Sequence, residues 1–345
     1  METTPTTQPE IIDSAPCTRA TYAGRGLLSL IFLVAGFLVY TYFSETAVVS
    51  AAATQTQTAA VAIAAQKAAA REAFQGIGLQ AESAIVFDAS TGVTLFARNS
   101  SAQLPLASIT KVPLALAVSE ALPADAIITL THGVQGSGTT DSLSAGSRWR
   151  VREVVDFTLV GSSNDGAQAL ADAADESLRI RYPEAPAGGA AVWLMNKLVR
   201  DLGLPHSYFL NPTGLDESLS QSGSYGSAAD TARLFAYAAS TSRDIFEATA
   251  QKEVTITSLD GAQARAVNTD AAIEDIPGLV LGKTGFTDLA GGNLAVVADL
   301  APNHRIVAVV LGSTREGRFS DIRTLIVAAQ ASLSLFEASS TPPLN

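Results

Sequence analysis

Residues Leu106 to Leu122 read LASITKVPLALAVSEAL, an almost unbroken apolar run entered through a serine and a lysine. From Val112 to Val118 no side chain is polar, so a helix here has no face for water and must lie inside a domain. The rest of the chain has to wrap around it. Ser108 and Lys111 stand one helical turn apart, which puts hydroxyl and amine on the same face. A serine and an amine at the mouth of a buried helix are the parts of a nucleophile and its base. Ser-x-x-Lys is expected by chance about 0.4 times in a chain of this composition, so the pair alone decides little.

The 345 residues, 47% hydrophobic and 16% charged, are enough for one large domain or two small ones. A net charge of -11 argues against nucleic acid as a partner, because phosphate binding needs clustered Lys and Arg. Cys17 is the only cysteine, which excludes an intrachain disulfide framework and a cysteine-based zinc site. His132, His206 and His304 stand far apart without ligand-like spacing. Metal chemistry and a histidine-based triad are both disfavoured, and no cofactor is expected.

In chain order, residues 1–25 are polar and Thr/Pro-rich and read as a disordered tail. Gly26 to Phe43 carries no charge and would span roughly 27 Å as a helix, the thickness of a bilayer core. Tyr40, Tyr42 and Phe43 gather at its far end, as interfacial aromatics do. Arg19 and Arg25 before it, with Glu45 after it, place the tail in the cytoplasm and the remainder outside. A cleaved signal peptide, cut near Ser50 to Ala53, is the competing reading; the length and the aromatic end favour a retained anchor. Residues 44–76, rich in Ala, Thr and Gln, read as a stalk, partly helical through its alanines. The catalytic domain is expected over 77–337, followed by a disordered tail over 338–345.

Within that domain Ala84 to Asp88 and Val93 to Ala97 form a hairpin pattern, followed by the buried helix from Ser108. Pro113 is tolerable there only near the first turn. Helices are expected over Arg150–Leu159, Asn164–Ile180, Val192–Leu202 and Thr231–Ala239. Asp260-Gly261 between Val254–Ser258 and Gln263–Val267 signals a two-strand turn. Leu279–Lys283 reads as a strand, Asn293–Leu300 with Arg305–Leu311 as a hairpin, and Ser320–Phe336 as an amphipathic helix. Strands at both ends with helices between them give an α+β class.

Two more motifs give the first pair its weight. Ser162-x-Asn164 lies in a polar break between helices, and Lys283-Thr284-Gly285 closes a strand. Lys-Thr-Gly has a chance expectation of about 0.04 here, and the three in this order are far rarer. Together they are the active-site set of serine penicillin-binding proteins and serine β-lactamases. The surrounding stretches FDASTGVTLFARN, LASITK, GSSNDGAQALAD, FLNPTGLDE, LGKTGFTDLAGGNLAVVA and VVLGSTREGRFSD resemble one branch, the D-alanyl-D-alanine carboxypeptidases that trim peptidoglycan stem peptides. They cover most of Ala84 to Phe336.

The resemblance implies the penicillin-binding, serine β-lactamase-like fold: an antiparallel sheet flanked by helices, with an all-helical subdomain inserted, here behind an N-terminal transmembrane helix. It implies a stem peptide as substrate and β-lactams as inhibitors; the apolar run Gly26–Phe43 and its flanking charges add an extracytoplasmic domain held to the cell membrane. Lys111 can act as base only if neutral, which means lowering its pKa from about 10.4 by some three units, equivalent to roughly 4 kcal/mol. Burial and a second cation, Lys283, both push that way. Ser162 can relay the proton to the leaving amine and Asn164 can hold the substrate's peptide carbonyl. Lys283 and Thr284 would meet the substrate carboxylate or polarise Ser162, and Gly285 lets the strand come close to the substrate. From the family come an oxyanion hole of the Ser108 and Phe286 amides and a carboxylate-holding role for Arg318. Asn211 and Asp216 read as loop-shaping residues, Trp149 and Trp193 as core.

Three other readings stay open. Endopeptidase action on cross-links uses the same motifs. A β-lactamase of the commonest class carries a glutamate three residues before a Leu-Asn pair; before Leu210-Asn211 that position is Ser207. A non-catalytic membrane sensor would be acylated at Ser108 without turnover. Gly161, where relatives often have proline, is expected to loosen the Ser162 loop.

Overall fold

The computed structural model describes residues 56–135 and 141–340, and the chain divides into a unit of residues 1–61 and one of 62–345. The described residues of the first unit, 56–61, are helical. The apolar run Gly26–Phe43 lies outside the described residues, among which no helix is long and apolar enough to cross a membrane.

The second unit is built on one antiparallel sheet. Its strands are β1 (Ser83–Asp88), β2 (Val93–Arg98), β3 (Leu279–Thr287), β4 (Gly291–Ala301) and β5 (His304–Ser313), in the order β3-β4-β5-β1-β2. The first and last segments of the domain therefore meet in the sheet, with Ile85 opposite Val309 and Val297 opposite Val307. Both faces are apolar, as a sheet covered on two sides requires. Ile306, Ala308 and Val310 point to one face. There they meet Ile322, Leu325 and Ala329 of the last helix, α7 (Gly317–Ser340), and Ala70 and Phe74 at the end of the first, α1 (62–73). Val307, Val309 and Leu311 point the other way, into the core that holds the buried helix α2 (Lys111–Ala121). This period of two is what the sequence pattern requires.

Between β2 and β3 the chain runs through α2, α3 (Val151–Val160), α4 (Asn164–Arg181), α5 (Ala190–Asp201) and α6 (Ala228–Thr241). The expectation of an all-helical insert needs correction. Glu253–Thr257 pairs with Gln263–Val267, Ile127–Thr129 with Arg148–Arg150, and Leu104–Pro105 with Ser224–Gly226. Short ribbons close the gaps between helices where the backbone groups of a bare loop would lack partners.

Three boundaries also move. Ser108 lies in a 3-10 turn, Ala107–Thr110, and the α-helix begins at Lys111. Pro113 is thus the third residue of α2, where its missing N–H breaks no helical hydrogen bond. The stretch read as stalk supplies buried residues to the domain: Gln66, Ala69, Ala70 and Phe74 are covered, and Gln66 Nε2 donates to Asp88 Oδ2 at 2.6 Å. At the other end α7 runs through residues 338–340, read as tail from composition.

Candidate active site

The 3-10 turn that carries Ser108 is entered through a strained residue. Ala107 has φ +49, in the left-handed region that side chains with a Cβ avoid. Pressed against it is Gly214, where a Cβ would fall 2.0 Å from Ala107 O and 2.5 Å from Thr110 Oγ1. Glycine is the only residue that admits this approach. Asn211 shapes the loop, its Oδ1 accepting from Thr213 N at 3.1 Å and Gly214 N at 2.7 Å. Asp216 ties the loop to the end of β3, accepting from Thr287 Oγ1 at 2.9 Å and Leu289 N at 3.2 Å. Both residues shape the loop, as the sequence reading has them.

Lys111 is 1% exposed, and its Nζ lies 2.8 Å from Ser108 Oγ, 2.8 Å from Asn164 Oδ1 and 3.0 Å from Thr213 O. Two of these partners are carbonyl oxygens, which can only accept. A neutral amine has two N–H groups and one lone pair. With the N–H groups on Asn164 and Thr213, the lone pair faces the Ser108 hydroxyl. Burial first, and then the charge of Lys283, hold the Lys111 amine well below its ordinary value.

Ser162 is buried at φ +53, a second strained residue, and Lys283 Nζ donates to its Oγ at 2.9 Å. The helix-capping duty in this loop falls to the neighbouring Ser163, whose Oγ accepts from Gly166 N at 3.0 Å. Ser162 and Asn164 are therefore placed on the lysines rather than used as a cap. Strained non-glycine residues of this kind cluster at functional sites.

Lys283 is 1% exposed and also donates to Thr284 O at 3.0 Å. Burial and then the nearby Arg318 guanidinium bring its pKa down to about 7, with Asp270 pulling the other way. Lys-Thr-Gly does not end a strand, as the sequence suggested; it lies inside the nine-residue β3, with Lys283 opposite Ala295 and Gly285 opposite Asn293. Pairing with β4 carries the strand past the glycine. Gly285, expected to let the strand approach the substrate, makes a close approach to the nucleophile turn: a Cβ would stand 2.7 Å from Leu106 O and 3.2 Å from Ser108 N. Phe286 follows, half-buried.

Arg318 reaches the same strand. It is 7% exposed, its Nη1 donates to Gly285 O at 2.6 Å, and its Nε meets no acceptor. Thr284 is buried with its Oγ1 2.5 Å from Thr269 Oγ1. The structure thus brings together Ser108, Lys111, Ser162, Asn164, Lys283, Thr284, Gly285, Phe286 and Arg318. Sequence reasoning missed the Thr213 carbonyl, because any residue type can supply one, and Thr269 and Asp270, which carry no motif.

A profile of the D-alanyl-D-alanine carboxypeptidase family matches residues 64–315. The chain belongs to this family. A D-alanyl-D-alanine carboxypeptidase of Bacillus subtilis is 30% identical over 241 residues, covering 68% of this chain and 58% of that protein. One of Mycobacterium tuberculosis is 28% identical over 243 residues, covering 69% and 77%. The chain therefore spans less than two thirds of the first relative's length. Among solved structures, a penicillin-binding protein of Listeria monocytogenes in its ampicillin-bound form superposes with a TM-score of 0.60 at 26% identity, covering 74% of this chain and 98% of that one.

Proposed function

We propose that the protein is a serine D-alanyl-D-alanine carboxypeptidase that removes the terminal D-alanine from peptidoglycan stem peptides. The observation that carries this is the Lys111 amine, buried between two obligate acceptors with its third direction on Ser108. Lys111 takes the hydroxyl proton as Ser108 Oγ attacks the scissile carbonyl carbon. The oxyanion is received by the amides of Ser108 and Phe286, each such donor typically contributing about 3 kcal/mol to the transition state. Ser162, hydrogen-bonded to Lys283, hands its proton to the leaving amine and takes in its place the one Lys111 holds, as the C–N bond breaks and D-alanine departs, so that Lys111 is neutral again. Water then cleaves the ester, its proton returning to Ser108 through Lys111. Asn164, whose Oδ1 accepts from Lys111, turns its amide N–H groups toward the substrate's peptide carbonyl, and Thr284 with Arg318 lies on the side of the terminal carboxylate.

β-Lactams enter the same pathway up to the ester. Ser207, where a β-lactamase of the commonest class would carry its glutamate, turns its hydroxyl to Asp230 at 3.3 Å. The adduct should persist, and penicillins should inhibit. The apolar run Gly26–Phe43, with arginines before it, supports anchorage in the cell membrane with the domain outside. Protease accessibility of the domain in intact cells tests that placement.

Mass spectrometry of a synthetic pentapeptide incubated with the protein and with Ser108→Ala is the direct test. Loss of one alanine with the first alone is expected. Cleavage only within a cross-linked dimer would make it an endopeptidase, and rapid nitrocefin turnover would make it a β-lactamase. A penicillin adduct at Ser108 with no peptide cleaved would favour the sensor.

A further inference from the structure

Phe286 sits opposite Gly292 in the β3–β4 ladder. A Cβ on Gly292 would fall 2.1 Å from Thr314 O and 3.2 Å from Arg315 N, so only glycine lets the segment after β5 descend onto this edge of the sheet. The descent lays the Arg315 guanidinium on the Phe286 ring, with Cζ 3.8 Å from the ring centroid. Arg315 is exposed; burial first, and then the Arg315 charge, disfavour the protonated form of Arg318, with Glu316 and Asp270 pulling the other way. Two cations therefore share the end of β3, and the inner one already bonds to the Gly285 carbonyl.

Stacking occupies only the face of a guanidinium. Its in-plane N–H groups stay open, in the fork geometry that matches a carboxylate. In the proposed reaction the Phe286 amide meets the oxyanion, so the ring of the same residue holds the Arg315 charge one side chain away from the scissile carbonyl. The leaving residue, with its carboxylate one carbon beyond the scissile nitrogen, has to pass that charge. A bound carboxylate would also relieve the repulsion between the two arginines.

We infer that Arg315 is a specificity-determining residue: held on Phe286 beside the site, it selects leaving groups that carry a carboxylate, and it does so next to Arg318, which is bonded to the Gly285 carbonyl. The inference rests on the D,D-peptidase reading and adds to it the residue that reads the leaving group.

The test compares two thioesters of an acyl-D-alanine, one with thioglycolate, which has a free carboxylate, and one with its methyl ester. Thioesters react readily enough for both to be followed. The protein should prefer the free acid, and Arg315→Ala should reduce that preference in kcat/KM about tenfold, chiefly through KM, as the loss of one exposed charge-assisted contact predicts. Arg315→Lys, which keeps the charge without the fork, should fall between them. If the protein prefers the acid and Arg315→Ala keeps that preference in full, the inference is overturned and the D,D-peptidase reading stands. If the protein hydrolyses neither thioester and takes no label from penicillin, the D,D-peptidase reading falls and the inference with it.

Discussion

Replacing Gly285 by alanine probes the joint between the two halves of the site. The added Cβ would lie 2.7 Å from Leu106 O, where ordinary contact begins at 3.4 Å, and 3.2 Å from both Ser108 N and Ala107 Cβ. Leu106 O is backbone, so no side chain can swing aside. Either β3 or the nucleophile turn must retreat by about 0.7 Å. The turn is held on its other side by Gly214 against Ala107, and β3 is held by its ladder with β4. The retreat opens the distance between the Ser108 and Phe286 amides, the two proposed oxyanion donors. Loss of one such donor lowers kcat by about a hundred- to a thousandfold, whereas overpacking costs about 1–3 kcal/mol in stability. Gly285→Ala should therefore keep a cooperative melt while its peptidase kcat and its rate of acylation by a fluorescent penicillin both fall about a hundredfold or more. A variant within threefold of the parent in both rates would refute the reasoning, because the close approach would then have no role in catalysis.

Other outcomes follow from the buried charges. Lys111→Arg keeps a cation beside Ser108 that cannot lose its proton, so acylation by labelled penicillin should drop about a thousandfold or more; retention of a tenth of the rate would exclude Lys111 as the base. For the same reason kcat/KM of the parent should rise with pH as the Lys111 ammonium deprotonates, its pKa held below the ordinary value by burial and by Lys283. Lys283 has a folded pKa of about 7 against about 10.4 when unfolded. Between those values the unfolded chain holds the extra proton, so this group makes the fold more stable as pH rises from about 7 to about 10. Lys283→Met should flatten the rise in urea midpoint over that window, and an unchanged slope would contradict the assignment. Asp156, on α3, is pushed up to about 7 by burial foremost, with Glu153 and Glu247 adding to it against Arg152. Its folded form binds the proton more tightly, so it lowers stability as pH climbs from about 4 to about 7. Asp156→Asn should raise the melting temperature more at pH 8 than at pH 4; an equal gain at both would show that charge is not the cause.

Much of this molecule was legible locally. The hairpin around Asp260-Gly261 forms at Glu253–Thr257 and Gln263–Val267, within a residue of expectation, because Gly261, at φ +83, meets the turn's backbone demand locally. The helix after Ser163 starts where its cap sits, for a similar reason. Burial of the Val112–Val118 face needed no partner to be named, since a segment without polar residues has nowhere else to go. The spacing of three short motifs was enough to gather Ser108, Ser162 and Lys283 into one site.

Other features arise from contacts between residues far apart in the chain. Lys283 reads as the end of a strand because Gly285, two positions on, breaks the local pattern, yet pairing with β4 carries the strand on to Thr287. The alanine-rich stretch before Ile77 looked unable to join a core, yet Ala70 and Phe74 find one under the sheet. The resemblance gives Arg318 a substrate carboxylate, and only the fold shows its Nη1 bonded to Gly285 O with Arg315 at the surface nearby. What the amino-acid order determined by itself was the set of elements and the reagents they carry, because periodicity, caps and turn residues act over a few positions. Which lysine sheds its proton, which carbonyls hold it and which arginine faces outward were decided by the tertiary structure, since burial and charge proximity exist only once distant segments are packed together.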